Sequence, residues 1–183
     1  MSAGDDLRLD DPAWEALVLA LPTADERPPT ALRDRLLASL DAPSERFAPF
    51  AERLAALIDV GAERARELLA ALADPSRWVA PFGPGIALFH LEGGPAVAGA
   101  DVGFVRVAPG VTFPHHRHLG DERVLLLQGR LEDSEGVTAG PGALLAQGAE
   151  SAHAVTSIGD EPLIYAVVVF GVDIPGVDPS LLG

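Results

Sequence analysis

The chain contains no cysteine. That excludes a disulfide framework, a thiolate zinc site and a cysteine nucleophile. It contains no lysine either, since all 13 basic residues are arginine. No apolar run approaches the roughly 18 residues that span a bilayer. The first residues, Met-Ser-Ala-Gly-Asp-Asp, are acidic rather than basic, unlike a secretory leader. A cytoplasmic protein with no membrane partner is the expectation. Positive charge is scarce: 27 acids stand against 13 arginines, a net charge of −14. Residues 1–80 carry −6 and residues 81–183 carry −8. Both halves repel phosphate backbones, so no direct nucleic-acid contact is expected. A basic protein partner or a small ligand fits better. No phosphate-binding glycine loop, Ser-His-Asp arrangement, internal repeat or low-complexity tract is present. With 48% apolar residues over 183 positions, the chain can bury a core.

The sequence changes character near residue 80. Before it, apolar residues recur at helical spacing. Asp11-Pro12 reads as a cap and first helical position, followed by Trp14, Leu17, Val18 and Leu21 on one face. Thr30 can cap a second helix carrying Leu32, Leu36, Leu37 and Leu40. A third carries Phe47, Phe50, Leu54, Leu57 and Ile58. Gly61 suits the turn into a fourth, with Ala65, Leu68, Leu69 and Leu72, stopped at Asp74-Pro75. The last two should pair as an antiparallel hairpin. Beyond residue 80 come short β-rich runs: Ile86–Leu91, Val102–Val107, Thr112–His118, Arg123–Gln128, Ala143–Leu145, Ala152–Thr156 and Leu163–Phe170. Glycine- and proline-rich turns separate them, as in an antiparallel sandwich or barrel. The expected divisions are a helical region 1–78, a β domain 79–173 and a peripheral tail 174–183. Leu163–Phe170 is apolar on both faces and so needs a second layer, either the helices or another subunit. A homodimer is the expectation from that strand.

Three of the five histidines fall within Pro114-His115-His116-Arg117-His118. Alternation along a strand puts His116 and His118 on one face, about 7 Å apart at the backbone. His115 and Arg117 then point the other way. Glu122, past a short turn, can add an oxygen ligand, and His153 on a later strand a third nitrogen. Three imidazoles and one carboxylate suit Zn²⁺, Fe²⁺, Mn²⁺ or Ni²⁺ and disfavour Ca²⁺. His90 reads as a packed or hydrogen-bonded strand residue, and Tyr165 as a core residue able to turn its hydroxyl to a pocket. Arg106 and Arg117 read as solvated.

Gly110, His116, His118, Glu122 and Gly129 follow the spacing of the first cupin motif without a gap. Gly140-Pro141-Gly142 opens a second motif that ends at His153. The turn before His153 is Gly148-Ala149-Glu150, where the family has proline-x-glycine, so Glu150 calls for a compensating loop shape. The resemblance implies an α+β chain: a helical region followed by a single cupin β-barrel, a double-stranded β-helix or jelly roll. It places one metal, zinc foremost, at His116, His118, Glu122 and His153, with room for a small-molecule ligand inside the barrel.

Residues 28–40, Pro-Pro-Thr-Ala-Leu-Arg-Asp-Arg-Leu-Leu-Ala-Ser-Leu, resemble the segment between the sigma-binding and sensor parts of bacterial anti-sigma factors. Helices followed by a cupin are the layout of ChrR-type anti-sigma factors. That resemblance implies a sigma factor as partner and transcription regulation as function. The amino-terminal zinc ligands of that family, a histidine and two cysteines, have no counterpart here. Helices that bind a sigma factor would have to fold without metal. The rival reading is a metal-dependent cupin enzyme, of dioxygenase or isomerase type, acting on a small molecule. Nothing in the sequence supplies it with a clear second acid or base, so a non-enzymatic role is favoured and no catalytic residue is assigned.

Overall fold

The computed structural model describes residues 29–34 and 45–177. The expected helix at Trp14, Leu17, Val18 and Leu21 lies outside these residues, as do Leu36, Leu37 and Leu40. Residues 30–34 are helical, and the amides of Leu32 and Arg33 bond to Pro29 O. Thr30 therefore stands inside the first turn rather than capping it. The structure separates Met1–Asp41 from a second unit, Ala42–Gly183, which is the one described below.

Two helices open this unit. Helix α1 spans Ala51–Ile58 and buries Ala51, Leu54, Ala55, Leu57 and Ile58, the stripe that helical periodicity dictates. Helix α2 spans Ala62–Ala70 and buries Ala65, Leu68 and Leu69. Asp59, at φ 57°, is the left-handed residue that ends α1. Gly61 takes an ordinary extended conformation as the N-cap of α2. Asp74 accepts from Ser76 N and starts a 3-10 turn at Pro75–Arg77, which closes the helical segment. Trp78 then packs edge-on against Phe89, 5.8 Å between ring centres.

Among the described residues ten strands follow: β1 Ile86–Leu91, β2 Asp101–Val107, β3 Thr112–His118, β4 Glu122–Gln128, β5 Arg130–Asp133, β6 Thr138–Ala139, β7 Leu144–Gln147, β8 Ala152–Ile158, β9 Leu163–Val169 and β10 Val172–Asp173. They form two five-stranded sheets, ordered β1-β2-β9-β4-β7 and β10-β3-β8-β5-β6. All pairings are antiparallel. After β2 the chain passes repeatedly from one sheet to the other, as a jelly roll requires. The seven expected strands all occur; β5, β6 and β10 were not foreseen. Ile174, in the segment expected to be peripheral, is 4% exposed and packs in the core.

The inward faces of the two sheets share one core, built from residues such as Val105, Phe113, Val124, Leu126, Val155 and Tyr165. A second core joins α1 and α2 to the outer face of the first sheet, where Phe104, Leu125, Leu127, Ile164, Ala166 and Val168 meet Leu54, Ile58, Leu68 and Leu69. Fully burying a side chain the size of Leu54 or Ile58 stabilises by roughly 1.5–3 kcal/mol. The helices thus supply the second layer that β9 needs, and a second copy is not what covers this face. One backbone and one side-chain hydrogen bond reinforce the seam: Gly94 N donates to Ile58 O (2.8 Å) and Ala96 N to the Asp59 carboxylate Oδ2 (2.7 Å). A Cβ at Gly94 would lie 1.8 Å from Asp59 O, so only glycine fits.

Candidate metal centre

Strand β3 carries His116 and His118 inward, and its register explains how. Phe113 is buried as well, three residues before His116, an odd step that plain alternation forbids. The pairing of β3 with β8 shifts between Phe113 and His116. This irregularity at Pro114-His115 resets the phase, as a bulge does, and turns His115 to the surface. Across the ladder, His153 on β8 stands directly opposite His116. The three imidazole ring centres lie 4.7, 4.9 and 5.1 Å apart. One nitrogen from each falls within 4.8 Å of the others, and all three residues are buried. Glu122, first residue of β4 in the opposite sheet, puts Oε2 3.4 Å from His118 Nε2. It sits beside the three imidazoles rather than within that tight group.

The protein assigns the outward nitrogen of two rings. His116 Nδ1 lies 2.8 Å from Pro114 O. A carbonyl only accepts, so Nδ1 carries the proton and Nε2 keeps its lone pair. His118 Nδ1 lies 2.9 Å from Ser151 Oγ. The Ser151 hydroxyl donates its one hydrogen to Gly148 O at 2.7 Å, so it must accept from His118 Nδ1–H. His118 Nε2 is then a buried lone pair with no hydrogen-bond partner. Its neighbour is the Glu122 carboxylate, a second acceptor. Two acceptors 3.4 Å apart in a buried site repel unless a proton or a cation lies between them.

Electrostatics agree with that geometry. Burial pushes Glu122 up from 4.5 to about 7. Burial pushes His116 and His118 down from 6.5 to about 4, and lowers His153 as well. At neutral pH the three imidazoles are uncharged, the state in which they bind metals. Burial and then the Glu122 carboxylate raise Tyr165, which stays a neutral phenol. The donor set fits a first-row divalent ion: three nitrogen lone pairs, one carboxylate, and buried nitrogens without partners.

The turn before His153 behaves as its sequence suggests. Glu150 takes the left-handed conformation, φ 68°, at a position where the cupin pattern has glycine. Its amide donates to His118 O, and its carboxylate bonds Arg117 at 2.9 Å. Of the remaining candidates, His90 is exposed rather than packed, and His115 is exposed. Arg117 is exposed and paired with Glu150, whereas Arg106 is half-buried over the Trp78 ring, 4.5 Å from its centre. Two cavities meet at His116, Glu122 and Tyr165. One, about 70 Å³, is walled by apolar residues such as Phe113, Val167 and Ile174. The other, about 190 Å³, also reaches His153, Asp133 and Gln147. Sequence reasoning passed over Ser151 and Asp133. Ser151, two residues before His153, carried no signal of its own. Asp133 alternates with Leu131, but no strand was expected there.

Comparison with known proteins adds three findings. A family model described as a ChrR cupin-like domain matches residues 68–171. Among solved structures, Rhodobacter sphaeroides SigE in complex with the anti-sigma ChrR is similar at 20% identity and a TM-score of 0.51, covering 86% of this chain and 76% of that chain. An RmlC-like cupin protein from Ralstonia eutropha JMP134 is similar at 23% identity and a TM-score of 0.48, covering 55% of this chain and 72% of that one. Likeness at this level bears on the fold, which is that of a cupin with a short helical region before it. No curated protein matches the chain.

Proposed function

The chain belongs to the ChrR cupin-like family, and on that premise we propose that it is a metal-holding sensor acting as an anti-sigma regulator. The family match over residues 68–171 carries this reading. The buried group of His116, His118 and His153 supports it, as does the fold shared with the anti-sigma ChrR in complex with SigE. His116, His118, His153 and Glu122 would hold one divalent transition metal, zinc first among Zn²⁺, Fe²⁺, Mn²⁺ and Ni²⁺. When bound, such an ion supplies a Lewis-acid centre and a cross-link between the two sheets. The imidazoles come from one sheet and Glu122 from the other, so ligation ties β3 and β8 to β4. The outer face of β4 and β9 contacts α1 and α2, which gives the site a packed route to the helical side. The acidic amino-terminal residues suit a partner that exposes basic surface, as a DNA-binding sigma factor must. The Leu32, Leu36, Leu37 and Leu40 stripe would supply apolar anchors. The compartment would be the cytoplasm, where a sigma factor works.

A specific observation favours a second reading, a metal-dependent enzyme: the 190 Å³ cavity brings Tyr165 and Asp133 beside the histidines. The two readings separate in one experiment. Untagged full-length protein from its native cell is purified, its metal is measured, and its co-purifying proteins are identified. The regulator reading expects about one metal per chain and a bound sigma factor. Leu36→Asp/Leu37→Asp should release that partner without emptying the site. His116→Ala/His118→Ala should empty it. Absence of a sigma factor, with metal-dependent turnover of a small substrate, would replace this reading with the enzyme.

A further inference from the structure

His153 is the one imidazole of the three whose outward nitrogen has no hydrogen-bonded partner. Both its ring nitrogens are buried and unsatisfied. The group nearest to resolving this is Asp133, the last residue of β5. Asp133 Oδ1 accepts from Glu135 N (2.9 Å) and Val137 N (2.8 Å). Those two bonds fix the rotation of the carboxylate and leave Oδ2 turned towards the ring. Oδ2 lies 3.8 Å from His153 Nδ1, with the two side chains 4% and 9% exposed. The separation exceeds a direct hydrogen bond, yet its sign is decisive. In a buried site a carboxylate attracts an N–H and repels a lone pair.

We propose that Asp133 is a positioning residue that holds His153 as the Nδ1–H tautomer and so leaves Nε2 to face the metal. Its last clause rests on the metal reading above; the tautomer itself does not. All three imidazoles then follow one rule, with Nδ1 committed to the protein and Nε2 to the centre. The three partners differ in kind: the Pro114 carbonyl for His116, the Ser151 hydroxyl for His118, and a carboxylate for His153. A carboxylate behind a ligating imidazole also makes it a more basic donor.

The test uses Asp133→Asn in the full chain. Oδ1 of the asparagine must still accept from the two backbone N–H groups, so the amide nitrogen has to face His153. That nitrogen is a donor and favours a lone pair on Nδ1, reversing the tautomer. Metal-free protein labelled with ¹⁵N at histidine is read by two-bond ¹H–¹⁵N correlation, and zinc affinity is measured by competition with a chromophoric chelator. Wild type should show His153 protonated at Nδ1. Asp133→Asn should show it at Nε2 and bind zinc about 10–100-fold more weakly. Glu132→Gln, at the exposed neighbouring position, should change neither. His153 protonated at Nε2 in the wild type overturns the proposal. So does an unchanged tautomer in Asp133→Asn, or full zinc affinity despite a reversed one. Should Asp133→Asn fail to fold, the wild-type tautomer alone decides. If the wild type takes up no zinc, the metal reading falls while the tautomer comparison still judges Asp133.

Discussion

Replacing Glu122 with glutamine should stabilise the metal-free protein at high pH while weakening its hold on metal. Glu122 is 9% exposed and lies 3.4 Å from a nitrogen that already carries a lone pair. Its carboxyl ionises at about 7 in the fold against an ordinary value of 4.5. That gap corresponds to about 3 kcal/mol, at about 1.36 kcal/mol per pH unit. The sign follows from linkage. Because the folded value is raised, the protonated group is tolerated below pH 4.5, and stability is lost as pH rises towards 7. Glutamine does not ionise, so it escapes that loss. Urea unfolding of chelated protein should find Glu122→Gln more stable than wild type by about 3 kcal/mol at pH 8, but by under about 1 kcal/mol at pH 5. Zinc affinity should move the other way, since the proposed anionic ligand would be gone. A stability difference that is the same at pH 5 and pH 8 would refute the argument. It would mean that the substitution acts through shape rather than charge.

Three further outcomes follow from the same geometry. His153→Ala should weaken zinc binding by at least about 100-fold through loss of a nitrogen donor, whereas His90→Ala, an exposed residue of β1 outside the three-histidine group, should leave a competition titration unchanged; the reverse result would mean a different third ligand. Val168→Asp puts a charge at a position 0% exposed under α1 and α2, and should cost several kcal/mol in denaturant unfolding; a loss below about 1 kcal/mol would show that the helices do not cover β9. Glu150→Gly should raise thermal stability by about 0.5–1 kcal/mol by relieving the left-handed backbone, because the Arg117 pair it gives up is solvent-exposed; Glu150→Val should lower it.

The legible parts of the sequence were those where one periodicity dominates. Leu54, Leu57 and Ile58 repeat at helical spacing, and the structure buries all three. The spacing of His116, His118 and Glu122 was readable because strand alternation and a short turn bring such residues together with little else to decide. His153 was readable from its place at the end of the second motif, although Glu150 occupies a glycine position. What escaped is what breaks a period. β5 reads Arg-Leu-Glu-Asp, and a buried acid on its inward face looks like a polar loop. Its partner β6 has only two residues, too few for any pattern. The expected strand Thr112–His118 does form, but its register shift between Phe113 and His116 is something alternation alone does not foresee. Ile174 hides behind proline and glycine and still reaches the core. His90 and Ile86 share a strand, but exposure depends on which neighbours fold over it.

Strand β9 has one more consequence. It is hydrogen-bonded to β2 on one edge and to β4 on the other, and apolar cores cover both its faces. Its backbone amides should therefore meet solvent only when the whole unit opens, whereas β7 and β10, at the sheet ends, should exchange deuterium through local fraying. A metal that binds only the folded chain raises the cost of global opening with its concentration and affinity. The deuterium clock of β9 should therefore slow as zinc is added while that of β7 barely changes, so an unlabelled strand at the centre of the sheet would report on occupancy of the histidine site.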